Sequence, residues 1–450
     1  LQEDIATADF EAAAEIVRRL KDAGWEAYFV GGCVRDFIRG EQPGDYDIVT
    51  SARPGDVRKI FSRTIPVGES FGIMLVVEKD RTYEVATFRT EAGYDDGRRP
   101  SRVSFSTARE DVYRRDFTIN GLLMDPQTRE IIDYVDGRRD MERQLVSTIG
   151  SPESRFGEDR LRMLRAIRFA ANLNFQVDPE TFAAISKNAA AIKCISAERI
   201  SAELTAILVG GGARRGMELL CDSGLLKEIL PEIEALRGVS QPPAFHPEGD
   251  VWEHTMRMLA YLPRPGGKAD LRLAWGVLLH DVGKPLTRFQ DERGVHFYGH
   301  DEKGVAAARE ILARLRFPNQ DKEAILALVR EHMMFMNVSR MRPARLKRFL
   351  RMPDFDLHLE LHRLDCLGSH GMLDYYEFCL QKMKEYPAEE LRPAPLVTGR
   401  DLIEMGFPPG PAFKEMLLAV EEAQLAGEIT DAEGARALVR GRWRSGEELG

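Results

Sequence analysis

The sequence predicts an α+β protein, with a small mixed-sheet domain at the N-terminus and helices almost throughout the rest. Two observations predict it. Over residues 1–150, short β-rich runs alternate with helical stretches, and two of those runs, 73-IMLVVE-78 and 82-TYEVATF-88, are separated by a tight turn. So short a connection makes an antiparallel hairpin and excludes a doubly wound parallel sheet. From Glu158 onward, apolar residues recur at helical spacing. Gly- and Pro-rich punctuation at 210–212, 237–250 and 385–395 then divides the chain into 1–150, 151–236, 237–385 and 386–450.

In chain order, Phe10–Ala23 reads as an amphipathic helix and 25-WEAYFV-30 as a strand. A Gly-Gly turn and a helix from Val34 follow, then the strand 46-YDIVT-50, the helix 54-PGDVRKIF-61 and the hairpin. The helical remainder is expected at 158–172, 179–191, 197–209 and 213–222, with further helices to the end.

Composition narrows the class. Hydrophobic residues make up 44% and charged residues 30%, ordinary for a globular protein. No apolar run approaches the roughly 18–20 residues that span a bilayer, and no basic segment precedes an apolar one at the start; a cytoplasmic location is the expectation. Cys33, Cys194, Cys221, Cys366 and Cys379 are scattered and never form C-x-x-C, which fits reduced, buried thiols. The net charge of −9 does not exclude RNA, because local basic stretches decide that, and 97-GRRPSR-102, 137-GRRDMER-143 and the arginines of 155–168 are such stretches.

Candidate chemistry begins at 31-GGCVRD-36. Gly31 and Gly32 let the backbone approach a ligand, and Arg35 adds a forked donor suited to phosphate. The segment is neither a Walker loop nor a dinucleotide fingerprint. In 45-DYDIVT-50, Asp45 and Asp47 are two apart on a strand, so both carboxylates share a face while Tyr46 and Ile48 turn to the core. Paired carboxylates repel without a cation between them, and two Mg²⁺ ions suit the site. Glu84 is either a third acidic group beside them or the partner of a nearby arginine.

With these segments in view, the chain resembles the class II tRNA nucleotidyltransferase and bacterial poly(A) polymerase family. The matching segments are 31-GGCVRD-36, 45-DYDIVT-50, 84-EVATFR-89, 114-RRDFTING-121, 133-DYVDG-137, 158-EDRLRMLRAIRF-169 and 197-AERI-200, in the family's order. The resemblance implies that Asp45 and Asp47 hold catalytic metals and that Gly31, Gly32 and Arg35 meet the triphosphate. It also implies that Arg115, Asp116 and Asn120 contact the nucleotide, and that tRNA, CTP and ATP are the partners.

The resemblance assigns nucleotide selection to Asp159 and Arg162, and elementary chemistry agrees. Three apart on one helix, they are expected to share a face. An acceptor beside a donor satisfies the pairing edge of cytosine or adenine and mismatches guanine and uracil. Arg165 and Arg168 extend the stripe toward nucleotide or tRNA backbone. The segment 94-YDDGRRPSRV-103 resembles the family's mobile loop, which implies A addition or full CCA addition. The segment 67-VGESFGIML-75 lacks the basic pair usual in poly(A) polymerases, which argues against that branch.

A different pattern fills 254–365. His254, the pair His280 and Asp281, His300, His332 and Asp365 are ligands suited to Mn, Ni, Zn, Fe or Mg. The segments 252-WEHT-255, 279-LHDVGK-284, 299-GHDEKG-304 and 364-LDCLGS-369 resemble HD-domain phosphohydrolases. That implies one metal held by His254, His280, Asp281 and Asp365, a second supported by His300 and His332, and Lys284 on phosphate. Partner HD domains in the family act on phosphomonoesters or 2′,3′-cyclic phosphates. The tail, 397-VTGRDLIEMGFPPGPAF-413, resembles the end of the HD-bearing branch. The rival readings are an A-adding enzyme, a poly(A) polymerase, an HD phosphohydrolase whose head only binds nucleotide, and a noncatalytic RNA-binding protein.

Overall fold

A computed structural model describes residues 8–68, 72–92, 102–243, 246–292 and 294–443. The segment 94–101 of the expected mobile loop, and Glu69 to Phe71, lie outside the described residues. The chain forms two compact units. One comprises 1–234 with 263–269 and 313–317, and the other comprises 235–262, 270–312 and 318–450.

The first unit begins with a helix, Ala8–Asp22, and is built on strands β1 (Ala27–Val30), β2 (Asp47–Thr50), β3 (Thr64–Gly68), β4 (Ile73–Glu78) and β5 (Arg81–Thr87). A ribbon of β6 (Arg89–Ala92) and β7 (Arg102–Phe105) follows, then β8 (Leu122–Met124) and β9 (Ile131–Asp133). The main sheet runs β3-β4-β5-β2-β1-β8-β9, and only the β2–β5 pair is parallel. The expected hairpin is β4–β5, and the sheet is mixed. The strand expected at 25–30 is shorter by two residues, and the helix expected from Val34 begins at Gly32.

Alternation sets two faces. Phe29, Tyr46 and Ile48 are buried on one, where Phe10 of the first helix meets Phe29 and Tyr46 edge-on. Val30, Val49, Ala86, Phe88 and Leu123 pack on the other with Ala108 and Val112 of a short helix. Asp47 belongs to this second face, paired with Val30 at the end of β2. The sheet's apolar packing therefore holds the acidic end in place.

Beyond the sheet, Pro152–Glu158, Leu161–Leu173, Pro179–Asn188, Ala197–Val209 and Ala213–Asp222 are helices. Among its described residues, the second unit is mostly helical, with a two-stranded ribbon, Phe289–Asp291 with Gly294–His296. Its helices Val251–Ala260, Leu271–Leu279, Asn319–Glu331 and Phe355–Gly368 pack together, and Gly276 lets Leu328 approach so closely that a Cβ there would stand 2.7 Å from it. Toward the end, Thr398 and Asp401 form a capping box on Gly399–Glu404, followed by Ala412–Ala426 and Ala432–Arg442. Val397, Leu402, Met416, Val420 and Val439 form their core. No helix among the described residues is long and apolar enough to cross a membrane.

Candidate functional sites

Gly31 has φ 75°, a left-handed conformation natural to glycine, and it caps the helix Gly32–Ile38. A Cβ on Gly31 would lie 3.9 Å from the Arg115 guanidinium, and one on Gly32 would lie 3.6 Å from that of Arg35. The turn thus runs beside two cations. Both are tethered: Arg35 donates to Asn120 at 2.9 Å and lies 3.2 Å from Asp36, and Arg115 lies 3.0 Å from buried Asp111. Asp111 also receives Arg114 and the Arg89 N–H. Asp111 was not singled out from the sequence; its signal is an acid three and four residues ahead of an arginine pair.

Strand β2 starts at Asp47, so exposed Asp45 precedes it rather than lying within it, while Tyr46 and Ile48 turn inward as expected. The parallel register pairs Ile48 with Val85 and Val49 with Ala86, which brings Glu84 level with Asp47 on the same face. Glu84 has no ion pair among the described residues. Asp47 is pushed up to about 6 by burial, then by Asp45 and Glu84, with Arg115 pulling the other way. Asp47, with Asp45 and Glu84 beside it, offers a donor set of hard oxygens suited to Mg²⁺.

The neck corrects one expectation. Asp159 and Arg162 do not share a helix: the chain leaves the first helix at Glu158, Asp159 is extended (φ −146°), and the next helix starts at Leu161. The Asp159 carboxylate accepts the Leu161 N–H at 3.0 Å, satisfying an otherwise orphaned donor of that helix. Each side chain is held by its own partner. Arg199 lies 2.6 Å from Asp159, while Arg162 is paired with Glu158 and donates to the Arg155 and Arg114 carbonyls.

Arg165 is 2.7 Å from Asp116, whose other oxygen accepts from Asn120 at 3.1 Å, so a continuous relay joins Arg35, Asn120, Asp116 and Arg165. Burial alone would raise the Asp116 pKa, but Arg165 and Asn120 hold it below the usual range. Glu203 pairs with Arg168 at 3.2 Å, and burial raises its pKa. Arg35, Arg165 and Arg168 also stand 5.4, 5.4 and 4.7 Å from the centre of the Phe169 ring. Arg199 and Glu203 lie in or just after the quoted 197-AERI-200, but nothing local reveals which residues they meet.

In the second unit, His254, His280, Asp281, His300 and His332 are buried and close together. His254 Nε2 is 3.1 Å from Asp365, and His280 Nε2 is 3.2 Å from Asp281. Neither nitrogen, nor Asp281 Oδ2, has an aligned hydrogen-bond partner. His300 and His332 bring their Nε2 atoms to 3.6 and 3.9 Å from Asp281 and 3.2 Å from each other. Buried His and Asp atoms that converge, three of them without an aligned hydrogen bond, fit a divalent metal centre. Against its burial, the Asp365 and Glu248 carboxylates raise His254 to about 9; burial, then His280, lowers His332 to about 4.

Lys284 lies 2.6 Å from Asp281 and donates to Gln241 at 2.7 Å. The surrounding cavity, about 670 Å³, is also lined by Met333, Met336, Tyr298 and Tyr375. Gly283 makes the close packing possible, since a Cβ there would fall 2.0 Å from the His300 carbonyl. His246 and Glu248, unnoticed in the sequence, complete a group with His254.

The carboxylate cluster, the later part of the helical neck and the buried His/Asp cluster from His254 to His332 each fall within a segment that matches a known family. The Poly A polymerase head domain family matches residues 27–147, the family described as a probable RNA and SrmB-binding site of polymerase A matches 174–236, and the HD domain matches 251–360. The CCA-adding enzyme of Limosilactobacillus fermentum is 46% identical over 219 residues, 48% of this chain and 54% of that protein. That of Bacillus licheniformis is 41% identical over 261 residues, 56% of this chain and 65% of that protein. The matches thus span a little over half the length of these relatives.

The crystal structure of the Bacillus stearothermophilus CCA-adding enzyme in complex with CTP is 29% identical, with a TM-score of 0.72, covering 97% of this chain and 98% of that one. The Thermotoga maritima CCA-adding enzyme complexed with tRNA is 17% identical, with a TM-score of 0.59 over 98% of this chain and 97% of that one, and shares the fold. In its head, neck and HD segments the chain is similar to class II CCA-adding enzymes and poly(A) polymerases.

Proposed function

We propose that the chain adds the 3′-terminal CCA to tRNA from CTP and ATP, without a nucleic-acid template and with release of pyrophosphate, in the cytoplasm. The observation that carries the reading is the clustering of Asp45, Asp47 and Glu84 next to a Gly-Gly turn flanked by Arg35 and Arg115. When bound, Mg²⁺ supplies the charge that eases deprotonation of the tRNA 3′-hydroxyl and departure of pyrophosphate. Asp45 and Asp47 hold it, with Glu84 beside them. Gly31, Gly32 and Arg35 receive the triphosphate, and Arg115 and Asn120 orient the nucleotide. Asp116, its oxygens engaged by Asn120 and Arg165, keeps those groups in place.

Asp159 accepts from the exocyclic amine of cytosine or adenine, and Arg162 donates to the ring nitrogen. Because Arg199 and Glu158 hold them, the pair is rigid without a template, and the wrong base leaves its polar groups mismatched. Arg165 and Arg168 face nucleotide or RNA backbone. The working division is a head at 1–150, a selecting neck at 151–236, an HD domain at 237–385 and a tail at 386–450.

The converging His and Asp ligand atoms of the HD domain support a second activity, metal-dependent phosphohydrolysis. His254, His280, Asp281 and Asp365 hold one ion among Mn, Ni, Zn, Fe or Mg, His300 and His332 support another, and Lys284 meets the phosphate. A bound ion there supplies Lewis acidity and an activated water. Hydrolysis lost in His280→Ala and Asp281→Ala variants tests it; activity equal to those blanks refutes it.

The main reading is tested with tRNA ending at the discriminator base or at CC, and with unrelated RNA, each given Mg²⁺ with CTP, ATP or both. CCA on the bare tRNA followed by a stop is expected, and Asp45→Ala or Asp47→Ala should abolish it. Addition only to CC-ended tRNA would make the chain an A-adding enzyme, and long A tails on any RNA a poly(A) polymerase.

A further inference from the structure

Four histidines surround the HD centre, and three are oriented alike. His280 Nδ1 bonds the Val277 carbonyl at 2.8 Å, His300 Nδ1 that of Phe297 at 2.8 Å, and His332 Nδ1 that of Val329 at 2.7 Å. Each ring uses the carbonyl three residues earlier, so its proton sits on Nδ1 and Nε2 is left as the ligand atom.

His254 departs from this pattern. The carbonyl three residues before it, on Val251, accepts the Thr255 hydroxyl at 2.8 Å. The His254 Nδ1 bonds Glu248 Oε1 instead, at 2.8 Å. Both side chains are 0% exposed. The same oxygen meets His246 Nδ1 at 2.9 Å, while Glu248 Oε2 is buried without a partner. Gly249, at φ 122°, shapes the turn between Glu248 and the helix that carries His254.

We propose that Glu248 is a positioning residue of the HD centre, an acceptor that fixes the His254 proton on Nδ1 and turns Nε2 toward the metal. The role rests on the reading of that centre as a metal site. A carboxylate behind an imidazole orients the ring and makes it a stronger donor, and losing such a partner typically weakens metal binding roughly 10–100-fold.

The test uses the full chain, stripped with chelator and titrated calorimetrically with Mn²⁺ or Ni²⁺, with the Ni²⁺ ligand-field spectrum as a second readout. Glu248→Ala should bind roughly 10–100-fold more weakly, with a shifted spectrum. Glu248→Gln keeps an oxygen for the same N–H, so its spectrum should match the parent and its affinity fall only a few-fold. Glu248→Met fills the space without an acceptor; it should behave as the alanine variant and replaces it if that variant does not fold.

Parent-like affinity in Glu248→Ala or Glu248→Met overturns the proposal. So does a Glu248→Gln variant as weak as alanine, because charge rather than the acceptor would then act. Loss of one whole ion from the stoichiometry also overturns it, by making Glu248 a ligand. A parent protein that binds no metal, or a His280→Ala/Asp281→Ala protein that binds as the parent does, refutes the metal reading itself, and the role of Glu248 with it.

Discussion

Replacing Asp47 by asparagine should make the metal-free protein more stable at neutral pH while destroying nucleotide addition. Asp47 is pushed up to about 6 by burial, then by Asp45 and Glu84. The native state therefore keeps this proton to higher pH than the unfolded chain does. Between pH ~4 and ~6 unfolding releases it, so stability falls as pH rises through that window and stays lower above it. The shift from 3.8 to about 6 corresponds to at most about 3 kcal/mol, and solvent at this partly exposed site trims it to about 1–3 kcal/mol.

Asparagine has the same shape and no charge, so the variant escapes the penalty. For a unit of this size, roughly 2–4 °C accompany each kcal/mol, and the variant's transition should move up by several degrees. Thermal unfolding in chelator at pH 4.5 and pH 7.5 reads the effect: a small separation at the lower pH, about three times larger at the higher. Adding Mg²⁺ at pH 7.5 should raise the parent's transition and leave the variant's unchanged. Parallel pH profiles, or a variant less stable than the parent at pH 7.5, would refute the idea that the acidic cluster is strained until a cation binds.

Three other substitutions probe the remaining contacts. Gly283→Ala puts a Cβ 2.0 Å from the His300 carbonyl and 2.6 Å from the Gly304 nitrogen, so the second unit should lose about 1–3 kcal/mol or more and bind metal poorly; an unchanged melting curve and metal titration would contradict this. Asp116→Ala strips Arg165 of its buried partner and should cost about 3–5 kcal/mol in urea unfolding, less if Glu203, 3.9 Å away, takes up the guanidinium. Arg199→Ala frees Asp159, so kcat/KM for CTP and ATP should fall about tenfold while GTP and UTP incorporation rises. Unchanged selectivity in competition assays would show that Asp159 does not depend on Arg199.

Whatever repeats at short range was legible in the sequence. Period-two alternation placed Tyr46 and Ile48 inside, the tight turn at 79–81 announced the β4–β5 hairpin, and the acidic pair stood out because apolar neighbours surround it. Glu84 was left between two roles because its meaning depends on β2 and β5 lying parallel, a pairing across nearly forty residues that no local pattern encodes. The break at Asp159 did have a local signal: an aspartate just ahead of the apolar run from Leu161 is a helix-start residue, so the segment reads better as two helices than one.

The HD centre shows why ligands are easier to read than the groups that orient them. His254, His280, Asp281 and Asp365 are conspicuous because buried ionisable side chains are rare, and the structure brings them together across more than a hundred residues. Glu248 sits in a Gly- and Pro-rich stretch that composition assigns to a connection, where an exposed glutamate is unremarkable. Its contact with the His254 Nδ1, visible only in the structure, gives it a task. The neck follows the same logic: Asp159 and Arg162 are visible as an acceptor and a donor, but the ion pairs with Arg199 and Glu158 that hold each in one orientation are not. Under the proposed base selection, a free Asp and Arg would adapt to any base, so discrimination would depend on the partners as much as on the reading pair.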